Sequence, residues 1–501
     1  MSTFFFFIYL AGLAFLGLLV PAEIWDVESK QFLLVLGAIA TWRYLWGLTH
    51  LVRSLIYRYV VFPRWRRKAN ALGQDGMPPH VYVLITSFRI AKETTRQVYS
   101  AAIRELIDCR VPGTLVASLV DQEDADFIEE LFREMNPPSY VDLQVFCIKG
   151  TGKRDALAAG FKAIQYNNPP PGSMAAVVDG DTIMDPGSIR LAAPLFKLHP
   201  KAAALTTDEF CIVEGSRLMR DWHSLRFAQR QILMCSVGLS KRVLTLTGRL
   251  SIFRAEILAD QGFIDQVHHD YLDHWRLGRF KFLTGDDKSS WFWILKNGYE
   301  MLYVPDVRIT TIEHPPSDNF FVATTVLMRR WFGNMLRTNG RALALGPKPM
   351  GLFTWWCILD QRLSMWTALS GPTFALIAAF AKSPIFLLIY ALWVGFTRFL
   401  LSLTLLTSRS RISPTYPFLL WYTQVYGSLI KTHVLFRLDK QKWTRQNTAL
   451  KRNLNPWQAR IANWGTIGVQ FVAMLTFITA VAVLSGVLPP PTARDLTRLF
   501  F

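Results

Sequence analysis

Several carboxylates in this chain stand where they could do chemistry. Asp179-Gly180-Asp181 follows the apolar run Ala175-Ala176-Val177-Val178, which puts both acids at a strand end. Hard oxygen ligands of this kind suit Mg²⁺ or Mn²⁺, and an ion held there would neutralise a departing diphosphate. Alone, such a pair is more often a turn than a metal site. Thr284-Gly285-Asp286-Asp287 precedes a helical run from Lys288 to Asn297. A carboxylate at that point can take the proton of a sugar hydroxyl as general base, although Asp at a helix start is also favoured as a cap. Further on, Arg330-Trp331 offers a guanidinium for a diphosphate and an indole for a sugar face, with membrane anchoring as the plainer alternative.

Positioning these groups requires a sheet. The segment alternates apolar β-rich runs with helical patterns, the mark of an α/β domain with a mainly parallel sheet. His80 to Ile85, Thr114 to Val120, Leu143 to Ile148 and Met174 to Val178 read as strands, each ending in polar residues. Ligands in such sheets bind beyond the carboxyl ends of the strands, so Asp121, the run Gly150-Thr151-Gly152-Lys153-Arg154-Asp155 and Asp179-Gly180-Asp181 are candidate site residues. The glycines do not spell G-x-G-x-x-G and Lys153 is not followed by Ser or Thr, which weakens dehydrogenase and NTPase readings.

The rest of the chain belongs in lipid. Of 501 residues, 51% are hydrophobic and 18% charged, which excludes a mainly disordered protein. Lys+Arg 55 against Asp+Glu 37 leaves +18, and the excess follows membrane flanks with no aromatic-basic stacking motif, so no nucleic acid is expected as a partner. Five scattered cysteines without a C-x-x-C pair indicate neither a disulfide framework nor a zinc site.

Phe4 to Ala22 is uncharged and reads as a first span, lacking the basic leader and small-residue cleavage site of a signal peptide. A second apolar stretch from Gln31 to about Val61 ends in Arg64-Trp65-Arg66-Arg67-Lys68, a cytoplasmic flank. Residues 1–68 are thus two transmembrane helices with the amino terminus inside, and 78–350 a cytosolic domain. In the C-terminal region 351–493, spans are expected at about 363–381, 384–406 and 461–487. Residues 415–436, between basic flanks, read as an interfacial helix followed by a basic segment, 437–460. That makes five spans and an external carboxyl terminus.

Taken in order, Asp121, Asp179-Gly180-Asp181, Gly285-Asp286-Asp287 and Arg330-Trp331, in a domain between membrane helices, resemble the processive family 2 glycosyltransferases, the cellulose, chitin and hyaluronan synthases. The resemblance implies a membrane-embedded α/β protein whose cytosolic GT-A-type domain has a mainly parallel sheet and is flanked by transmembrane helices. It implies that Asp121, Lys153, Arg154, Asp179 and Arg330 bind the nucleotide sugar, with Asp121 at the base. Asp179 and Asp181 would hold Mg²⁺ or Mn²⁺, Asp181 nearest the ion, and Asp287 would be the catalytic base. Gly248, in Thr247-Gly248-Arg249-Leu250-Ser251, and Trp331 would line the acceptor site. Lys442, Trp443 and Arg445, in Lys442-Trp443-Thr444-Arg445, correspond to a gating segment. Leu327 replaces the Gln of Q-x-x-R-W, and the gating segment lacks the Gly of W-G-T-R.

Closer still, the strings Gly150 to Asp155, Arg279 to Trp293 and Ile312-Glu313-His314-Pro315-Pro316 resemble the catalytic subunits of bacterial alginate synthases, and the likeness runs over nearly the whole chain. This implies GDP-mannuronate as donor, poly-β-1,4-mannuronate as product, inversion at the anomeric carbon and passage of the chain across the bacterial inner membrane. It also implies a cyclic-di-GMP-binding PilZ-type membrane co-polymerase subunit and periplasmic alginate export and modification proteins as partners. Three other readings stay open: a cellulose- or hyaluronan-like synthase, a non-processive transferase that charges a lipid carrier, and a channel or transporter whose soluble domain only binds nucleotide. The last predicts eroded acidic residues, whereas all are present.

Overall fold

The computed structural model describes residues 2–19, 31–150, 152–443, 448–449 and 455–490. It divides into two compact units, one comprising His50–Leu359 with Leu438–Arg452, the other Met1–Thr49, Asp360–Arg437 and Asn453–Phe501.

The first unit is built on an eight-stranded sheet. Its strands are β1 (Val81–Thr86), β2 (Gly113–Leu119), β3 (Val141–Cys147), β4 (Met174–Asp179), β5 (Thr182–Met184), β6 (Ala202–Val213), β7 (Leu250–Arg254) and, after a small hairpin of β8 (Tyr271–His274) with β9 (Gly278–Lys281), β10 (Glu300–Glu313). All residues of β1 and β2 are buried, as apolar runs in a sheet covered on both faces must be. The order is β3-β2-β1-β4-β7-β6-β10-β5. The pairs β1–β2, β2–β3, β1–β4 and β6–β10 are parallel, whereas β7 runs antiparallel between β4 and β6, and β5 antiparallel to β10. The chain moves outward from β1 to β2 and β3, then returns to β4 on the other side of β1. Such a reversal opens a crevice beyond the carboxyl ends of β1 and β4, where Thr86 and Asp179 are register partners.

The apolar runs locate β1 to β4 to within a residue or two. They do not reveal that half of the sheet is mixed, because β6 carries the polar stretch Thr206 to Glu209 in its middle, β10 is interrupted by Pro305-Asp306, and β7 owes its direction to tertiary pairing.

Three helices flank the crevice. Lys153–Tyr166 follows β3, and Asp286–Lys296 begins at Gly285, which adopts φ +85°. Phe320–Ala344 is capped by Asn319, whose side chain accepts from the backbone N–H of Phe321 and Val322. A fourth helix, Arg217–Gly238, is capped by Ser216 accepting from the Met219 N–H and packs on β6.

Leu352–Ala381, Ile385–Thr407 and Pro456–Leu484 are long and apolar enough to cross a membrane, and Phe4–Leu18 is apolar but shorter. Large apolar side chains such as Trp393, Phe396, Leu400 and Phe471 face outward along them, as lipid contact requires. Cations inside the second unit find partners: Arg43 pairs with Asp360, Arg398 donates to Gln424, and Lys431 donates to the Gln361 carbonyl. Tyr416–Leu435, expected to lie in the interface, is a helix that buries Leu419, Tyr422, Ser428 and Lys431 among its neighbours.

Candidate active site

At the mouth of the crevice, β4 leads through Asp179-Gly180-Asp181 into β5. Gly180 lies against Ser87, so close that a Cβ there would come 2.4 Å from its Oγ and 3.0 Å from its Cα. Lys153, the first residue of its helix, places Nζ 2.6 Å from Asp179 Oδ1 and 3.1 Å from Asp286 Oδ2. Gly248 completes the convergence: a Cβ at that position would stand 3.2 Å from Lys153 Nζ and 3.4 Å from Asp179 Oδ2. Motifs far apart in the chain therefore meet around one ammonium group.

The electrostatics of this meeting are those of a negative pocket. Burial works against the charge of Lys153, but Asp179 and Asp286 outweigh it and hold the ammonium well above its ordinary range. Asp179 is pushed up to about 6 by burial, with Asp181 and Asp286 adding to the effect against the pull of Lys153. Burial, then the charge of Asp286, raises Asp287. Asp286 itself stays below the usual carboxylate range, because Lys153 and Arg154 overcome its burial. Among the described residues no group of three His, Cys, Asp or Glu side chains is placed to hold a metal. The carboxylates of Asp179 and Asp181 at the end of β4 are a donor set that would suit Mg²⁺, which is commonly held by one or two carboxylates together with substrate phosphates.

The loop that carries Asp286 and Asp287 is braced from behind. Arg154, expected beside the nucleotide, is only 4% exposed and spends its guanidinium on the Val267 carbonyl (2.5 Å), the Thr284 carbonyl (3.1 Å) and Ser289 Oγ (3.1 Å). Its work in this structure is to fix the loop. Thr284 Oγ1 donates to Asn334 Oδ1 at 2.7 Å, and Arg337 donates to the same oxygen at 2.5 Å. Gln441 accepts from the Leu283 N–H and donates to the Lys281 carbonyl, both at 3.0 Å, which ties the start of the basic segment to the loop that carries Asp286 and Asp287. Beyond it, Lys442 and Trp443 pair antiparallel with Thr448 and Ala449, while Thr444 and Arg445 lie outside the described residues.

Gly285 sits where a Cβ would come 2.9 Å from Asn334 Cγ, on a backbone that L side chains rarely adopt. Gly285→Ala should therefore destabilise the domain by about 1–3 kcal/mol. Thermal unfolding of the detergent-solubilised protein checks this, and an unchanged midpoint would mean that the loop yields at no cost.

At the start of β7, Ser251 Oγ donates to the Thr247 carbonyl at 2.7 Å and accepts from the Thr247 N–H at 3.1 Å, pinning the turn that contains Gly248. Arg249 reaches Glu209 at 3.0 Å and also pairs with Glu313, whose neighbour Ile312 donates its N–H to the Asp181 carbonyl at 3.0 Å. Against its own burial, Glu313 is drawn down to about 2, first by Arg249 and further by His223 and Arg330. Trp331 is not a bare platform. Its indole stacks on Trp222 at 5.6 Å and 22°, and the Arg226 guanidinium lies 3.5 Å from its ring centroid. Leu327, in place of the motif's Gln, is buried in the core. Asp121 stands exposed at the end of β2, at the start of helix Gln122–Met135.

The sequence names Asp286 only as part of its quartet and Glu313 only within the string Ile312 to Pro316, and it does not single out Glu209, Trp222 or Arg226. Asp286 had a visible signal, its place beside Asp287. Glu209, Trp222 and Arg226 belong to no quoted motif, and only the fold brings them beside Glu313.

Residues 78–334 match the model of a family described as Glycosyltransferase like family 2. A curated relative from Pseudomonas syringae pv. tomato, named Glycosyltransferase alg8, is 48% identical over 476 residues, covering 95% of this chain and 97% of its own. Another of the same name, from Azotobacter vinelandii, is 46% identical over 480 residues, covering 95% and 97%. Among solved structures, the mannosyltransferase PcManGT from Pyrobaculum calidifontis in complex with GDP-Man and Mn²⁺ aligns over 79% of this chain and 98% of that chain, at 14% identity and a TM-score of 0.42.

Proposed function

Because this chain belongs to the family 2 glycosyltransferases, with a GT-A-like fold, we propose that it is the polymerising subunit of an alginate-type synthase, which joins mannuronate units from GDP-mannuronate into poly-β-1,4-mannuronate. The observation that supports this reading is the convergence of Asp179, Asp286 and Gly248 on Lys153, which brings residues from distant motifs into one crevice. The alg8-named relatives and the likeness to alginate synthase subunits support the choice of sugar.

In this reading Asp121 contacts the nucleotide base, and Lys153 and Arg330 face the diphosphate. Asp287 accepts the proton of the acceptor hydroxyl as its oxygen attacks the anomeric carbon. The bond from that carbon to the diphosphate breaks on the opposite face, GDP leaves, and the configuration inverts. Asp287 suits this work because burial and Asp286 raise its proton affinity. Asp181 and Asp179 would hold Mg²⁺ or Mn²⁺, which when bound supplies charge neutralisation to the diphosphate. Gly248 leaves room for the acceptor and Trp331 orients it, while Lys442, Trp443 and Arg445 gate the crevice. The enzyme resides in the bacterial inner membrane as a multi-pass protein with its catalytic domain in the cytosol. It passes the chain outward with a cyclic-di-GMP-binding PilZ-type partner and periplasmic export and modification proteins.

The test is to incubate membranes containing the full chain with a panel of nucleotide sugars and measure nucleoside diphosphate and product. GDP-mannuronate should release GDP and yield long polymer. Release from UDP-glucose or UDP-N-acetylglucosamine instead would make it a synthase of another polysaccharide, and glycolipid without polymer a lipid-linked transferase. Asp181→Ala should raise the Mg²⁺ concentration needed for half-maximal rate by about tenfold or more. Unaltered metal dependence would remove Asp181 from that role.

A further inference from the structure

Helix Arg217–Gly238 sets Trp222, Arg226 and Arg230 four residues apart along one side. Arg230 is committed to Glu209 at 3.0 Å and to the Thr207 carbonyl at 3.1 Å. Arg249, across from them, is committed to Glu209 and Glu313. Arg226 differs: among the described residues its guanidinium has neither an ion-paired carboxylate nor a hydrogen-bond acceptor. It lies instead 3.5 Å from the Trp331 centroid and 4.9 Å from that of Trp222, and the shorter separation is one that only face-to-face packing allows. A guanidinium held by its face keeps its N–H edge available, and that edge matches a carboxylate in two parallel hydrogen bonds. Burial and then the charge of Arg249 bring Arg226 down to about 9, against the pull of Glu313 and Glu209, whose carboxylates are themselves paired with Arg249 and Arg230. Through Arg249 and Glu313 the Arg226–Trp331 stack adjoins the strand end where Ile312 meets Asp181.

We propose that Arg226 is the specificity-determining residue of the acceptor site, its N–H edge binding the carboxylate of the terminal uronate of the growing chain while Trp331 holds the guanidinium plane. The inference rests on the polyuronate reading above. A neutral sugar in the same place would leave Arg226 without a partner, whereas a uronate supplies one.

The test uses full-length protein in membranes supplied with GDP-mannuronate. Short oligomannuronates and their carboxyl-reduced counterparts, which are neutral mannose oligomers, compete as acceptors against endogenous chain. The wild type should require about tenfold or more of the reduced oligomer for the same inhibition. In Arg226→Gln the two oligomers should act within about twofold of each other. Arg226→Lys, which keeps the charge without the fork, should show an intermediate preference. A wild type that does not discriminate, a Gln variant that still prefers the acid form tenfold, or a Lys variant with the full wild-type preference would each overturn the proposal. Failure of the polyuronate reading looks different: the wild type would then release no GDP from GDP-mannuronate at all.

Discussion

Asp287→Asn is expected to abolish polymerisation while donor binding persists, because the amide keeps the shape of the side chain and removes only its capacity to take a proton. Loss of a general base commonly costs about 10²–10⁴-fold in rate. The competing role for Asp287 is structural. As the second residue of helix Asp286–Lys296 its carboxylate also favours the helix dipole, an effect of only about 0.3–1 kcal/mol. Turnover near the wild-type level in the Asn variant would assign Asp287 to that lesser role. The pH dependence follows with the same sign. The base must be ionised, so activity is present above its pKa and is lost as pH falls through it. Burial and Asp286 raise that pKa, which places the acid limb of the rate profile above the value of about 3.9 typical of a free Asp.

Trp331→Ala should eliminate long polymer while donor binding remains and slow hydrolysis of the nucleotide sugar to water continues. In the proposed mechanism the indole orients the acceptor and takes no proton, so its loss should separate the elongation of the chain from the cleavage of the donor. The structure adds a second consequence. Trp331 is the ring on which Arg226 rests and against which Trp222 stacks, so the variant also frees the guanidinium. Trp331→Phe, which retains an aromatic face, should keep part of the elongation and give shorter chains. Gel analysis of product length beside GDP release checks both variants. Polymer of normal length from a well-folded Ala variant would remove Trp331 from the acceptor site.

Much of this arrangement was legible in the sequence, for identifiable reasons. Buried parallel strands are continuous apolar runs, so β1 to β4 announced themselves, and the polar residues that end them lie where such sheets bind ligands. Asp179, Asp181 and Asp287 were accessible because each stands at an element boundary within a short acidic motif. The role of Arg154 was not: its neighbour Lys153 points to Asp179 and Asp286, whereas Arg154 turns beneath the loop to Thr284 and Ser289, and adjacent residues on a helix need not share a direction. Arg226 and Trp222 were equally hidden. On a helix rich in Arg and Gln as far as Gln231 they belong to no clear apolar stripe, and only β6, β10 and helix Phe320–Ala344 bring them into one cluster.

In the proposed reaction one crevice, with Asp287 as base, transfers uronate from GDP with inversion to build a β-linked chain processively. This reaction is tested most directly by supplying membranes bearing the full chain with ¹³C-labelled α-linked GDP-mannuronate and determining the anomeric configuration and length of the labelled product by NMR and gel filtration. Long chains of β-1,4-linked mannuronate should form, with one GDP released per unit added. Labelled chains with α linkages, or GDP-mannuronate left intact while another nucleotide sugar is consumed, would contradict it.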